Sequence, residues 1–238
     1  MLLPSLITGL WGGLLALERR AFLQAALSRP LPAACGVGLM LGDVTAGLMV
    51  GLVFELFHLG GASLGGVNPD HETVPAVTST ALAVMLAQHA PGTAARPALW
   101  ALAILVCAPT GILGRRVDTR LDARARRYFG RVVNAAAAAG DVERAVQQNL
   151  RAMWPHFVFY GLLSASAAVL GVLAAPVVQQ CPPGLLRGLA WSYPVLGTVA
   201  AAMAVHASQG QGRLRVAAVA ALVVALVLLG ALGARAWA

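Results

Sequence analysis

Seven apolar runs, near residues 2–17, 31–60, 73–90, 98–114, 154–178, 187–206 and 214–236, decide what this chain can fold into. A membrane-spanning helix needs roughly 20 apolar residues, with a range of about 17–25. The runs at the two ends of the chain fit one helix each. Hydrophobic residues make up 59% of the chain and charged residues only 11%, whereas a soluble domain carries about 25% charge. The runs are also too long to be the short amphipathic pieces of a soluble core. The chain therefore reads as a polytopic all-α membrane protein, a single membrane domain over residues 1–238. The stretch from Leu2 to Leu17 lacks a basic segment before it and reads as a retained first helix.

The 31–60 run is too long for one span, and Gly42-Asp43 divides it into halves that are each short for a full crossing. Seven glycines between Gly36 and Gly61 loosen it further. The expectation is a re-entrant hairpin or a pair of broken helices. Such backbone survives at membrane depth only where protein or a wet cavity satisfies it, and paired broken segments are where transporters hold their solutes. Close helix packing explains most of these glycines equally well, but it does not explain Asp43 or Glu55.

Glu55 lies inside this run, where an acidic side chain at a helix centre costs roughly 2.5–3.5 kcal/mol. A polar loop follows, Gly65-Gly-Val-Asn-Pro-Asp-His-Glu72. A carboxylate in a dry pocket accepts hydroxyl hydrogens through charge-assisted bonds about twice as strong as neutral ones. Asn68, Asp70, His71 and Glu72 add donors and acceptors beside it, though Asp70 and Glu72 also suit a cap for the next helix. His58 sits one helical turn from Glu55 on the same face. Asp43 suits a structural turn. His89 and His156 read as packing or interfacial residues, and His206 is a weaker candidate.

Residues 115–152 interrupt the apolar pattern. Val117, Leu121, Ala125, Tyr128 and Val132 follow one face, and Arg120, Arg124, Arg127 and Arg131 the other, which predicts an amphipathic helix. Asp122 and Arg126 have the spacing of an intrahelical ion pair. An alanine-rich link, Asn134 to Gly140, precedes a second helix that begins at Asp141 and runs into Trp154. The arginine excess places Arg115–Arg131 in the cytoplasm. A net charge of +8, all of its basic residues arginine, is thereby explained without nucleic acid. Cys35, Cys107 and Cys181 form no metal or redox spacing. No P-loop, catalytic triad, metal cluster or phosphate-carrying histidine is visible, so no catalytic residue, cofactor or metal is expected.

The stretch Ser28-Arg-Pro…Leu41-Gly-Asp43…Ala46-Gly47…Phe54-Glu55-Leu…Leu59-Gly resembles the membrane IIC subunit of the mannose/fructose/sorbose family of bacterial sugar phosphotransferase systems (PTS). An Arg-Pro pair, a Leu-Gly-Asp, a glycine-rich segment ending in Glu and a Pro-containing polar loop occur in that order. The Thr78-Ser-Thr80 helix start, the hydrophilic arm and a last broken segment with Pro194 and Gly197 also fit. The resemblance runs from about Leu2 to Trp237. It departs at Ala190-Trp-Ser-Tyr-Pro194, where Trp191 and Tyr193 would narrow a cavity or stack on a sugar ring, and at the loop Glu18–Gln24.

The resemblance implies spanning helices plus re-entrant or broken helical hairpins, with 115–152 as a cytoplasmic amphipathic arm. It implies a permease of the bacterial inner membrane that carries a hexose or amino-sugar inward. A separate IIB protein then phosphorylates the sugar. Its partners would be a IID-like membrane subunit and soluble IIA and IIB phosphocarriers, and a homo-oligomer is left open. Glu55 would contribute to the sugar site, with Asn68 to Glu72 beside it. Gly42, Asp43, Pro194 and Gly197 would shape the hairpins. Two other readings stand: a membrane scaffold or sensor that lost transport, and a proton-coupled transporter using Glu55 with His58.

Overall fold

The computed structural model describes residues 2–20, 25–59 and 71–207, with isolated positions 217, 221 and 224. Among the described residues every regular element is an α-helix. In chain order these are α1 (Leu2–Glu18), α2 (Pro30–Leu41), α3 (Val44–His58), α4 (Thr73–His89), α5 (Arg96–Cys107), α6 (Thr110–Tyr128), α7 (Gly130–Ala138), α8 (Val142–Gln179) and α9 (Pro183–Ala207). The expected run at 214–236 lies outside the described residues apart from three isolated positions. Arg96–Arg127, Val142–Gln179 and Pro183–His206 are each long and apolar enough to cross a membrane.

Helix α4 is the axis of the bundle. Every residue from Thr73 to Leu86 is buried, and a helix apolar on all sides must be enclosed by others. Helices α2, α3, α5 and α8 surround it. The Thr78-Ser-Thr80 triplet, expected at a helix start, lies inside α4 because the helix already begins at Thr73. The Thr78 and Thr80 hydroxyls donate to the carbonyls of Val74 and Ala76, each at 2.8 Å.

The 31–60 run folds into the α2–α3 hairpin. Gly42 ends α2 with φ of 84°, a left-handed conformation that favours glycine. Asp43 then caps α3 by accepting the Ala46 N–H at 3.0 Å. At 1.5 Å per residue α2 is about 18 Å long and α3 about 22 Å, each less than the roughly 30 Å hydrocarbon core. The tip of the hairpin meets the far end of α4. Gln88 Nε2 donates to the Leu41 carbonyl at 2.8 Å, and Arg96 pairs with Asp43 at 3.4 Å. The hairpin therefore runs along the whole of α4.

Helices α1 and α8 pack antiparallel through small residues. Gly9 lies against Gly161 and Ala165, and Gly13 against Phe157. This close approach is the usual device where no hydrophobic effect separates helix from lipid. The antiparallel packing brings the C-terminal end of α1 to the arm end of α8.

The arm consists of the second half of α6, α7 and the start of α8. The alanine-rich link is largely helical, as alanine's propensity favours, and the breaks fall at Phe129 and at Gly140, whose φ is 73°. Asp141 caps α8 through the Arg144 N–H at 3.0 Å. Asp122 takes Arg20 beyond the end of α1 as its partner instead of an Arg126 pairing within α6.

The expected last broken segment is a continuous helix, α9, with Pro194 inside it. Neighbouring helices and hydroxyl side chains can absorb a proline at membrane depth, and the Thr198 hydroxyl donates to the Pro194 carbonyl at 2.8 Å. Pro194 and Gly197 are both buried. Tyr193 is fully buried. Its hydroxyl donates to the Met49 carbonyl at 3.0 Å, and its ring meets Trp100 edge-on at 5.2 Å. It is a packing residue joining α3, α5 and α9, while Trp191 is 60% exposed on the outer face.

Candidate functional site

Four chain segments converge at the arm end of the bundle: the end of α1, the start of α2, the end of α3 and the start of α4. Glu55 on α3 is the centre of their contacts. Its Oε1 accepts from Arg29 Nε at 3.1 Å and lies 2.8 Å from Arg29 Nη2, and its Oε2 accepts the Leu31 N–H at 3.1 Å.

The sequence at the start of α2 explains the last bond. The first N–H groups of a helix have no intrahelical acceptor. Pro30 and Pro32 have no N–H, and the Ala33 N–H already donates to the Arg29 carbonyl at 3.0 Å. Leu31 is then the one unmatched donor of the first turn. Arg29 at the cap position makes no side-chain cap bond, so Glu55 caps α2 from another helix. A negative charge is favoured at this end by the helix dipole as well.

Arg29 extends the cluster. Its Nη1 lies 3.9 Å from Glu72 Oε2, and Arg29, Glu55 and Glu72 side chains are 42%, 18% and 22% exposed. The cluster is thus reachable by a solute. The Thr73 hydroxyl donates to the Ser28 carbonyl, which ties the start of α4 to the approach to α2. Glu18, only 4% exposed, accepts the Leu27 and Ser28 N–H groups at 3.3 and 3.0 Å and fixes the turn leading into Arg29.

The other sequence candidates separate. Asn68 and Asp70 lie outside the described residues. His58 Nδ1 bonds the Phe54 carbonyl on its own helix at 2.9 Å. His71 is 2% exposed, packs against Tyr160 with ring centroids 4.4 Å apart and the rings tilted by 48°, and accepts the Val74 N–H at 3.4 Å. Its backbone N–H donates to the Gly111 carbonyl at 3.1 Å. Burial, reinforced by Arg19 and Arg20, holds its imidazole well below the usual histidine range, so it is neutral at physiological pH. The chain thus turns His71 into the core and its neighbour Glu72 towards Arg29. Asp43, Gly42, Pro194 and Gly197 lie away from this cluster, at the hairpin tip and in α9.

A second polar cluster, missed from sequence, joins this end to the arm. Asp118 on α6 is 6% exposed. It accepts from the Tyr160 hydroxyl at 2.6 Å, pairs with Arg20 at 2.9 Å and lies 3.7 Å from Arg19. The Tyr160 hydroxyl also meets the Gly114 carbonyl at 2.9 Å. His156 is buried with Nε2 3.4 Å from Asp122. The signal available was Tyr160, a tyrosine inside the apolar 154–178 run whose hydroxyl requires a partner. Tyr160→Phe removes the hydroxyl donor of buried Asp118. It is expected to lower stability by about 1–3 kcal/mol, read as a fall in the thermal midpoint in detergent.

Chemically, the Glu55 cluster offers carboxylate acceptors and guanidinium donors at one half-exposed point. That pairing suits a polyhydroxylated neutral solute, whose hydroxyls both donate and accept.

Comparison with known proteins agrees with this architecture. The family model described as the sorbose-specific IIC component of the PTS system matches residues 2–228. Among curated proteins nothing matches. Two solved structures share the fold. One, described as the structure of a membrane protein, aligns with a TM-score of 0.67 at 20% identity, over 98% of this chain and 92% of the other. The other is a cryoEM structure of the mannose transporter ManYZ in complex with microcin E492, with a TM-score of 0.60 at 17% identity over the same shares. At these identities the structural likeness is one of fold, and the family rests on the match along nearly the whole sequence: the chain belongs to the family of sorbose-specific IIC components of the PTS.

Proposed function

We propose that this membrane-embedded IIC component is the sugar-translocating subunit of its phosphotransferase system, binding a hexose or amino-sugar at Glu55. The sugar crosses the bacterial inner membrane and is phosphorylated by a separate IIB protein fed by IIA. A IID-like membrane subunit completes the permease. The observation that carries the reading is the Arg29–Glu55–Glu72 cluster, a set of charged donors and acceptors held half-exposed where four helix ends meet. Asn68 and Asp70, in the polar loop between α3 and α4, are further solute contacts in this reading, and the arginine excess of the 115–131 segment supports a cytoplasmic arm.

The test is transport in vesicles carrying this chain with a IID-like subunit. Sugar phosphate is expected to accumulate when phosphorylated IIB is supplied, and to persist when the proton gradient is collapsed. Uptake that survives without IIB but stops with the gradient would instead establish proton coupling. Absence of any sugar-dependent signal in well-folded vesicles would leave the chain a scaffold.

A further inference from the structure

The arm carries a surface that neither the bundle nor the solute site uses. Residues 115–152 hold nine arginines against four acidic residues. Two of those acids, Asp118 and Asp122, are turned inward to Arg19 and Arg20, so the outer face is more basic than its composition. Arg116, Arg120, Arg127, Arg131, Arg144 and Arg151 are exposed. Beside them Val142, Val146 and Leu150, four residues apart, are 69%, 51% and 57% exposed. At the tip, a cleft of about 330 Å³ between α7 and α8 is lined by Arg131, Ala135, Asp141 and Arg144.

Geometry decides what such a surface meets. The apolar runs end near Arg115 on α6 and Trp154 on α8. Measured along the helices at 1.5 Å per residue, α6 continues for about 20 Å beyond Arg115 and α8 for about 18 Å before Trp154. Lipid charge is screened over about 8 Å at physiological ionic strength. Arg127 and Arg144 thus lie about 18 Å and about 15 Å along their helices from the ends of the apolar runs, farther than that screening length. A basic, partly apolar face held in water fits a soluble protein with an acidic rim. The face also stands at the end of the bundle that holds the Glu55 cluster, as the Arg20–Asp122 and His71–Gly111 contacts require.

We propose that the α6–α7–α8 arm is the docking surface for a soluble phosphate-donating protein, steered by these arginines and seated on Val142, Val146 and Leu150. The inference rests on the reading of the chain as the translocating subunit. Docking there would hold the donor beside the mouth through which the sugar leaves.

The test uses the full chain in nanodiscs of uncharged lipid, with a phosphorylated sorbose-type IIB protein as probe. The triple variant Arg127→Gln/Arg131→Gln/Arg144→Gln is expected to slow association about tenfold at low salt, with the difference vanishing at high salt. The corresponding triple lysine variant keeps the charge and should restore the rate. Val146→Ser/Leu150→Ser is expected to speed dissociation at every salt concentration. Sugar binding by all three variants should match the unaltered chain, so a failure of docking is separable from a failure of the Glu55 site. Unchanged IIB kinetics in the glutamine and serine variants would overturn the proposal, as would an arm that binds only vesicles of anionic lipid.

Discussion

Replacing Glu55 with glutamine is expected to lower sugar uptake by about tenfold to a hundredfold, from the roughly 1.5–3 kcal/mol of a hydrogen bond to a charged group. Glutamine keeps the shape and one acceptor oxygen. Its amide nitrogen, however, must face either Arg29 or the Leu31 N–H, which sets donor against donor. Arg29 is 42% exposed, so water screens part of the lost charge, and the lower half of the range is the better expectation. The measurement is uptake of labelled sugar by cells in which the amount of inserted chain is quantified. Full uptake by a variant present at normal level would remove Glu55 from the solute site. Glu55→Asp, which keeps the charge but shortens the reach, should fall between the two.

Gly47→Ala is expected to be, with Gly38→Ala, among the most damaging single methyls at the described glycines of α2 and α3. A Cβ on Gly47 would lie 2.6 Å from the Ala34 carbonyl oxygen and 3.0 Å from Cys35 Cα. Both are backbone atoms of the facing helix, so no side-chain rotation relieves the clash and α2 must move away from α3. Overpacking of this kind costs about 1–3 kcal/mol or more. For a chain of this size that is roughly 2–12 °C in the thermal midpoint. Gly130→Ala is the control, since nothing lies within 4 Å of its added carbon. A Gly47→Ala chain as stable as the Gly130→Ala chain would mean that the hairpin packs more loosely than the structure has it.

The parts of the fold that were legible in the sequence have local causes. Gly42 needs a left-handed backbone and Asp43 a short acceptor one turn from Ala46, so the hairpin turn could be read from two adjacent residues. Apolar runs likewise carried the helices, because their length is set by the bilayer. What was illegible depends on partners far along the chain. Arg29 was visible as half of an Arg-Pro pair, but its bond to Glu55 spans 26 positions and has no local signature. Asp122 offered Arg126 as a neighbour at helical spacing, yet tertiary packing brought Arg20 closer. Pro194 suggested a break, but α9 stays helical through it because the surrounding helices hold the backbone where isolated propensity would release it. Sequence reading thus singled out Glu55 without its partner Arg29, and it gave His71 and Glu72 one shared role although the chain turns them to opposite sides.

The two prolines at the start of α2 have a consequence for how occupancy could be observed. Because they leave Leu31 with the only unmatched donor of that turn, a single backbone proton reports whether the Glu55 carboxylate is at home. A solute that draws Oε2 away frees that proton to solvent, and its hydrogen–deuterium exchange should quicken in step with saturation. In the proposed reading the chain would then carry its own indicator of solute binding, a backbone N–H bonded to Glu55 itself, with no label attached.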